Sequence, residues 1–258
     1  MKRILTFATL LSSFMYLACK HTEKISQAGV YKLDKLTVSG GGKDTVYART
    51  QMKIYTPSYF AYFSFAPDSS VGFGVGSYRP DTGNQIIEYN VYSSHALDST
   101  QIFHVRMDRA ASGYTQTISL GTLRGVKYDE IEKYSKVASS GTSKMDGLWK
   151  LDSSYIVKNT GITNQKEVQY KIFWGGHFMF VHRYPLNNGA VFKNGFGYGT
   201  FSLKNDTLSE EEDITSHAIL LNHQFAIKID FRGNDEYKQV IADPKTGDKS
   251  VEVYKRMQ

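Results

Sequence analysis

The chain contains an internal sequence repeat. Gly29–Phe63 aligns with Gly147–Val181 without a gap, at a spacing of 118 positions. The correspondence between the two copies continues to the end of the chain with shifts of a few residues. The matched pairs are Glu88 and Glu210, His95 and His217, Phe103 and Phe225, Tyr114 and Tyr237, Gln116 and Gln239, and Glu132 and Glu252. A repeat of this length predicts two related modules, each of which folds as its own unit.

The composition of the segments predicts an all-β fold. Aromatic and β-branched residues crowd into short stretches separated by Gly, Asn, Asp, Ser and Pro, and no long stretch has helical periodicity. The second half contains candidate strands near 148–157, 166–174, 177–184, 196–203, 206–214, 224–231, 235–242 and 249–256, and the first half gives the same number. Closure into a barrel would remove the exposed edges of so many short antiparallel strands. We therefore predict two tandem small antiparallel eight-stranded barrels, at 19–137 and 146–258, joined by a flexible linker at 138–145.

The N-terminus has the features of an export signal. In residues 1–18, two basic residues precede an apolar run that is too short to cross a hydrocarbon core of about 30 Å as a helix. Ala18 before the lone Cys19 resembles the lipobox of bacterial lipoproteins, which implies cleavage before Cys19 and its acylation. We then expect a lipid bilayer as a partner and a place in the cell envelope, at the outer membrane of a Gram-negative bacterium. The alternative is an ordinary secretory signal in which Cys19 is incidental.

Charge and motifs argue against several classes of function. Loss of the two basic residues of the signal lowers the formal net charge from +6 to +4, without a basic run, so we expect no nucleic-acid partner. No nucleophile elbow, phosphate loop, dinucleotide fingerprint or zinc-protease motif is present, so we expect neither an enzyme nor a cofactor. His177 and His182 point to opposite faces of one candidate strand, and His95 and His217 lie in candidate loops. The histidines therefore predict no metal site.

Alternation along the strands indicates which side chains face the interior. The polar residues at alternate positions of 207–214 form an outer face, which sends Leu208, Glu210, Glu212 and Ile214 inward. The same reasoning places an interior Glu, Tyr and Gln in each barrel: Glu88, Tyr114 and Gln116 in the first, and Glu210, Tyr237 and Gln239 in the second. Two interpretations stay open. The three groups satisfy one another and fix the packing, or they are the polar anchors of a pocket that orients a small ligand.

Aromatic side chains supply a second set of candidates. Phe178, Phe180 and Tyr184 share a strand face with His182, and Tyr170, Ile172 and Trp174 line another strand. Plain core packing and a ligand cage are both consistent with this pattern. The resulting ligand-binding candidates are Glu88, Tyr114, Gln116, Tyr170, His182, Glu210, Tyr237 and Gln239.

The ends of the second module carry a resemblance to a known family. Gly147-Leu148-Trp149-Lys150-Leu151 opens its first strand and Val253-Tyr254-Lys255-Arg256 lies in its last, which is similar to the calycin superfamily of lipocalins and fatty-acid-binding proteins. The resemblance implies that Trp149 closes the barrel floor and that Arg256 packs over it. The first module has Tyr31 and Lys136 at these places, so we expect a weaker floor there.

The combination looks most like the tandem lipocalin-like domains of exported bacterial lipoproteins. This resemblance implies a small hydrophobic or amphipathic ligand in one or both cavities, with the second barrel the better candidate. The alternative is an interaction module that presents the barrel loops to a protein or glycan partner. An interior below roughly 300 Å³, the lower end for ligand pockets, would favour that alternative.

Overall fold

The structure is a computed structural model that describes residues 27–68, 70–94, 99–186, 191–243 and 246–258. All regular structure in these ranges is β, arranged as two closed eight-stranded antiparallel barrels with one extra strand each. The predicted signal at 1–18 and the acylation site Cys19 lie outside the described residues. Within the part of the chain that is described, no helix is long and apolar enough to cross a membrane.

The first barrel closes through hydrogen bonds between its first and last strands. Strand β1 pairs with β9 along most of its length, and the remaining strands follow in sequence order from β3. The extra strand β2 pairs only with the far half of β1. The strands are β1 (Gly29–Gly40), β2 (Lys43–Tyr47), β3 (Thr50–Tyr55), β4 (Tyr59–Phe65), β5 (Val71–Pro80), β6 (Gln85–Ser93), β7 (Gln101–Ala110), β8 (Gly113–Leu123) and β9 (Val126–Lys136).

The second barrel repeats this topology. Strand β10 pairs with β18 to close it, and β11 is the extra strand on β10. The strands are β10 (Gly147–Lys158), β11 (Gly161–Asn164), β12 (Val168–Trp174), β13 (His177–Leu186), β14 (Val191–Lys204), β15 (Thr207–Thr215), β16 (Gln224–Arg232), β17 (Glu236–Ala242) and β18 (Lys249–Arg256). The prediction of two eight-stranded barrels is confirmed. The sequence missed β2 and β11 because both are short, and most of their residues are exposed, so neither carries an alternating apolar signal.

The two barrels pack side by side through their outer sheet faces. One apolar cluster contains buried residues from β1, β3, β4, β5 and β6 of the first barrel and from β10, β12, β13 and β14 of the second. The rings of Phe63 and Phe196 stack with centroids 4.2 Å apart, and those of Tyr92 and Tyr170 lie 5.3 Å apart. These strands are therefore buried on both faces, which explains why their sequences read as nearly continuous apolar runs.

This contact corrects two predicted orientations. Tyr170 was expected to line a cavity, but it lies on the outer face of β12 in the contact between the barrels. Ile214 was expected to point inward, and it packs against the same contact because an irregularity in the β14–β15 register after Glu212 reverses the alternation. In both cases the side chain lies on the outer face of the second barrel, and the first barrel buries it.

The connection between the barrels is held against the second one. The backbone N–H of Ser140 donates to the carbonyl of Gly175 at 2.8 Å, the ring of His177 lies 2.9 Å from the carbonyl of Ala138, and Met145 is fully buried. These contacts fix residues 138–145 in place, so this segment is not the free coil that its composition suggested.

Candidate functional site

A buried lysine–glutamate pair crosses the interior of each barrel. In the first, Nζ of Lys53 lies 2.6 Å from Oε1 of Glu88, which also accepts from the hydroxyl of Tyr55. In the second, Nζ of Lys171 lies 3.2 Å from both carboxylate oxygens of Glu210. Since a buried charge is costly without a partner, each lysine and glutamate can be accommodated inside the barrel only as a pair.

A second buried carboxylate lies beside each pair. Glu252 accepts from Nε2 of Gln239 at 2.8 Å and from the hydroxyl of Tyr254 at 2.5 Å. Gln169 donates in turn to that hydroxyl at 2.5 Å. Burial raises the pKa of the Glu252 carboxyl, against the opposing effects of Lys171 and the Tyr254 hydrogen bond. The first barrel repeats the arrangement with Gln51, Gln116 and Tyr134 around Glu132.

These networks correct the predicted Glu–Tyr–Gln trio. Gln116 and Gln239 bond to Glu132 and Glu252, not to the predicted Glu88 and Glu210. Tyr114 and Tyr237 contribute rings rather than hydroxyls: Tyr114 stacks on Tyr134 at 4.7 Å and Tyr237 on Tyr254 at 4.8 Å. Their hydroxyls have no hydrogen-bond partner among the described residues, and both side chains belong to the apolar floors.

Each barrel leaves a cavity above its network. The first cavity measures about 160 Å³ and the second about 280 Å³. Of the predicted ligand-binding residues, Glu88 and Gln116 line the first cavity, and His182, Glu210 and Gln239 line the second. The second cavity is completed by Glu167, Gln169, Lys171, Phe180, Glu212, His217, Ile219, Leu220, Phe225, Ile227, Ile241 and Glu252.

The two cavities share their deep residues and differ at the mouth. The deep set in the second barrel is Gln169, Lys171, Glu210, Gln239 and Glu252, and its counterparts in the first are Gln51, Lys53, Glu88, Gln116 and Glu132. Nearer the mouth, the first cavity has Arg49, Ser64 and Asn90 where the second has Glu167, His182 and Glu212. These positions of the second cavity are therefore acidic, whereas the first cavity has the cation of Arg49 and, in addition, the carboxylate of Glu130.

Glu212 is the most unusual of these residues. Its side chain lies on the cavity wall, the residue is only 4% exposed, and no described donor reaches its Oε2 atom. Burial raises the pKa of this carboxyl to about 7, while the nearby Thr215 hydroxyl and the charge of Lys171 act in the opposite direction. A Cβ atom at Gly197 would clash with the ring of Phe180 and come within 2.9 Å of Oε2, so a larger residue there would displace one or both side chains.

A pair of histidines lines the same cavity as Glu212. The Nε2 atoms of His182 and His217 are 2.8 Å apart, and Oε2 of Glu167 lies 3.7 Å from Nδ1 of His182. Burial lowers the pKa of His217, and the neighbouring His182 lowers it further. Among the described residues, no group of three or more His, Cys, Asp or Glu side chains has an arrangement that could hold a metal ion.

The loop after β15 forms the rim of this cavity. The N–H of Asn222 donates to the carbonyl of Glu212 at 2.9 Å, and the N–H of Leu220 donates to that of His217 at 2.8 Å. Ile219 and Leu220 line the opening, although Ile219 is 77% exposed. An apolar rim above an acidic wall suits an amphipathic molecule, which has an apolar part and a polar part.

The barrel floor shows the contact that the family resemblance implied. The guanidinium carbon of Arg256 lies 4.0 Å from the centroid of the Trp149 ring, and the indole N–H donates to the carbonyl of Met145 at 2.7 Å. Arg256 also donates to the carbonyls of Asp146 and Lys144, at 2.5 and 2.8 Å. This end of the second barrel is therefore closed by the packed side chains of Trp149 and Arg256.

The sequence reasoning missed the lysines that cross the interiors and the second pair of carboxylates. One signal was available, because Lys53 and Lys171 occupy aligned positions inside apolar strands of the repeat, as Glu132 and Glu252 do near its end. A charged residue that recurs at an apolar position in both copies indicates a buried, paired group. The approach of His217 to His182 had no such signal, because it depends on the path of a loop.

Comparison with known proteins adds little beyond this geometry. No family model matches the chain, and no curated protein matches it in sequence. A crystal structure of a protein of unknown function from the DUF3598 family of Nostoc punctiforme PCC 73102 is similar at 8% identity and a TM-score of 0.28, over 91% of this chain and 97% of that one. That likeness is too low to support an inference. The two closed barrels in tandem nevertheless fit a lipocalin-like fold.

Proposed function

We propose that the protein is a non-enzymatic carrier or receptor that binds a small amphipathic molecule in the cavity of its second barrel. The observation that carries this proposal is an interior of about 280 Å³ with an apolar rim and a buried carboxylate oxygen that has no described donor. This volume is slightly below the lower end of about 300 Å³ for ligand pockets, so by volume alone both barrels meet the criterion for the interaction role. The unpaired buried carboxylate and the apolar rim favour a ligand in the second barrel, and the volume requires that ligand to be small.

The first barrel is a poorer binding site. Its cavity of about 160 Å³ is well below that limit, and its unpaired acceptors, on Asn90 and Gln116, are uncharged amide oxygens rather than a carboxylate. For this barrel we propose the interaction role, with its loops presented to a protein or glycan partner. The exposed apolar side chains of Leu120 and Leu123 on the β8–β9 hairpin favour this surface.

We also propose that acylated Cys19 anchors the protein to a membrane of the cell envelope. The support is the order of residues at the N-terminus, where a short apolar run ends next to the lone cysteine. Anchoring at one end would leave both barrels free to meet a ligand or partner in the aqueous compartment.

Native mass spectrometry of the protein isolated from its own host tests the binding proposal. A small molecule should co-purify with the wild type and be lost from Ile241→Trp, which fills the second cavity. The counterpart Ile118→Trp fills the first cavity and should keep the bound mass. Repeated absence of any bound mass from well-folded wild type would refute ligand binding and favour the interaction role for both barrels.

Site-specific photo-cross-linking in the host tests the interaction role. A photoreactive side chain at Leu123 should capture a discrete partner, whereas one at Lys43, on the extra strand β2, should not. Equal, diffuse cross-linking from both positions would argue against a defined surface.

A further inference from the structure

We propose that the ligand of the second cavity is a small organic cation, a primary amine with an apolar body, and that Glu212 receives its ammonium group. The inference rests on the proposed binding function and gives its ligand a chemical class. Four observations carry it: the charge of the cavity, its unpaired acceptors, the contrast with the first barrel and the apolar rim.

The side chains that line the cavity include more carboxylates than cations. Four carboxylates line it, from Glu167, Glu210, Glu212 and Glu252, and the lysine among the lining residues is Lys171. That lysine is already paired with Glu210. A cationic ligand would neutralise part of the remaining charge, whereas a fatty acid or other anion would add to it.

Of the three unpaired side-chain atoms in the described wall, two are acceptors, and the third, Nδ1 of His182, is a donor or an acceptor according to the ring tautomer. Oε2 of Glu212 and Oε1 of Gln239 have no hydrogen-bond partner among the described residues, and their residues are 4% and 1% exposed. The orientation of the Gln239 amide follows from its partner, because its Nε2 must face the Glu252 carboxylate to donate. Buried acceptors that lack donors are unfavourable, and an ammonium group offers three donors and no acceptor.

The first barrel provides an internal comparison. The counterpart of Glu212 there is Asn90, an uncharged amide, and the counterpart of Glu167 is Arg49. The deep networks are similar in both barrels, and the side-chain oxygens of Asn90 and Gln116 in the first cavity also have no described donor. The barrels differ in charge instead, because the first cavity adds Arg49 and Glu130 to its deep residues, whereas the second adds the two carboxylates of Glu167 and Glu212.

The apolar side of the cavity fits the rest of such a ligand. Phe180, Phe225 and Ile241 line the wall, and Ile219 and Leu220 lie on the rim. A short body such as a phenyl ring on a two-carbon chain offers one apolar end and one ammonium. The apolar end then packs against the apolar side chains, and the ammonium group lies against the carboxylates.

Isothermal titration calorimetry of the full chain at pH 7.5 tests the inference with three probes of similar shape: 2-phenylethylamine, 2-phenylethanol and phenylacetate. We expect the amine to bind with one site per chain, the alcohol to bind about tenfold or more weakly, and phenylacetate not to bind. In Glu212→Asn, which installs the residue of the other barrel, the amine should lose about tenfold or more in affinity while the alcohol changes little.

Asn90 of the first barrel shows that asparagine is compatible with this position of the fold. If Glu212→Asn does not fold, Glu212→Gln replaces it in the same titrations. Glu130→Gln removes a carboxylate that lines the first cavity, and it should leave amine binding unchanged. Equal affinity for amine and alcohol, preference for phenylacetate, or no binding of any probe would overturn the inference. A co-purified neutral or anionic molecule in native mass spectrometry would overturn it too, while leaving the proposed binding function intact.

Discussion

Replacing Glu212 by glutamine is expected to stabilise the folded protein at pH 8 but not at pH 4.5. The carboxyl has a pKa of about 7 in the folded state, against an ordinary value of 4.5. Below pH 4.5 the group is protonated in both states and imposes no penalty. Between pH 4.5 and 7 the unfolded chain loses this proton while the folded chain keeps it, so the contribution of this group to stability falls as pH rises.

The size of the effect follows from the two pKa values. A rise from 4.5 to about 7 corresponds to about 3 kcal/mol, at about 1.4 kcal/mol per unit. Water at the open mouth screens part of this, which leaves about 1–2 kcal/mol. Glutamine keeps the shape without the charge, so Glu212→Gln should raise the free energy of unfolding by about 1–2 kcal/mol at pH 8, or the melting temperature by about 2–8 °C.

Urea denaturation of wild type and Glu212→Gln at pH 4.5, 6, 7 and 8 measures this difference. The matched control is Glu130→Gln in the first barrel, because burial raises the pKa of that carboxyl to about 7 as well. The stability of both variants relative to wild type should increase as the pH rises, but only Glu212→Gln should lose amine binding. A gain that is equal at pH 4.5 and pH 8, or a loss at every pH, would refute the reasoning about a destabilising buried charge.

Four further predictions test other parts of the structure. Lys171→Met should lower the free energy of unfolding by about 3–5 kcal/mol because it leaves Glu210 buried without its cation, and adding Glu210→Leu should recover most of the loss in urea denaturation. Phe63→Ala should cost about 3–5 kcal/mol by the same assay although the ring lies outside both barrels, since the other barrel buries it. Amine affinity measured by calorimetry should rise about tenfold from pH 6 to pH 8, because Glu212 loses its proton with a pKa of about 7 and its carboxylate then pairs with the ammonium group. Cys19→Ser should move the protein from the membrane fraction to the soluble fraction of the host, and an unchanged distribution on immunoblots would contradict acylation at this residue.

Strand order and barrel number could be predicted from the sequence because both depend on local patterns. The repeat fixes two copies, and alternation identifies strands such as β16, where Ile227 and Ile229 are buried inside the barrel as expected. The same alternation could not identify the inner face of β12. Both faces of that strand are buried, so Tyr170 toward the other barrel and Phe173 toward the interior look alike in sequence.

The candidate site was only partly predictable for a related reason. Alternation placed Glu212 inside, but nothing local distinguishes a carboxylate with a partner from one without. That distinction depends on which strands become neighbours in the closed barrel and on a loop that brings His217 beside His182. Such contacts join residues far apart in the chain, and their geometry emerges only when the barrel closes.

A crystal structure of the full chain with 2-phenylethylamine is the most direct test of the binding site. The ammonium nitrogen should lie about 2.7–3.0 Å from Oε2 of Glu212, with the phenyl ring against Phe180 and Ile241 inside the second barrel. An amine bound only at the protein surface, or a second barrel whose interior is filled by its own side chains, would contradict this assignment.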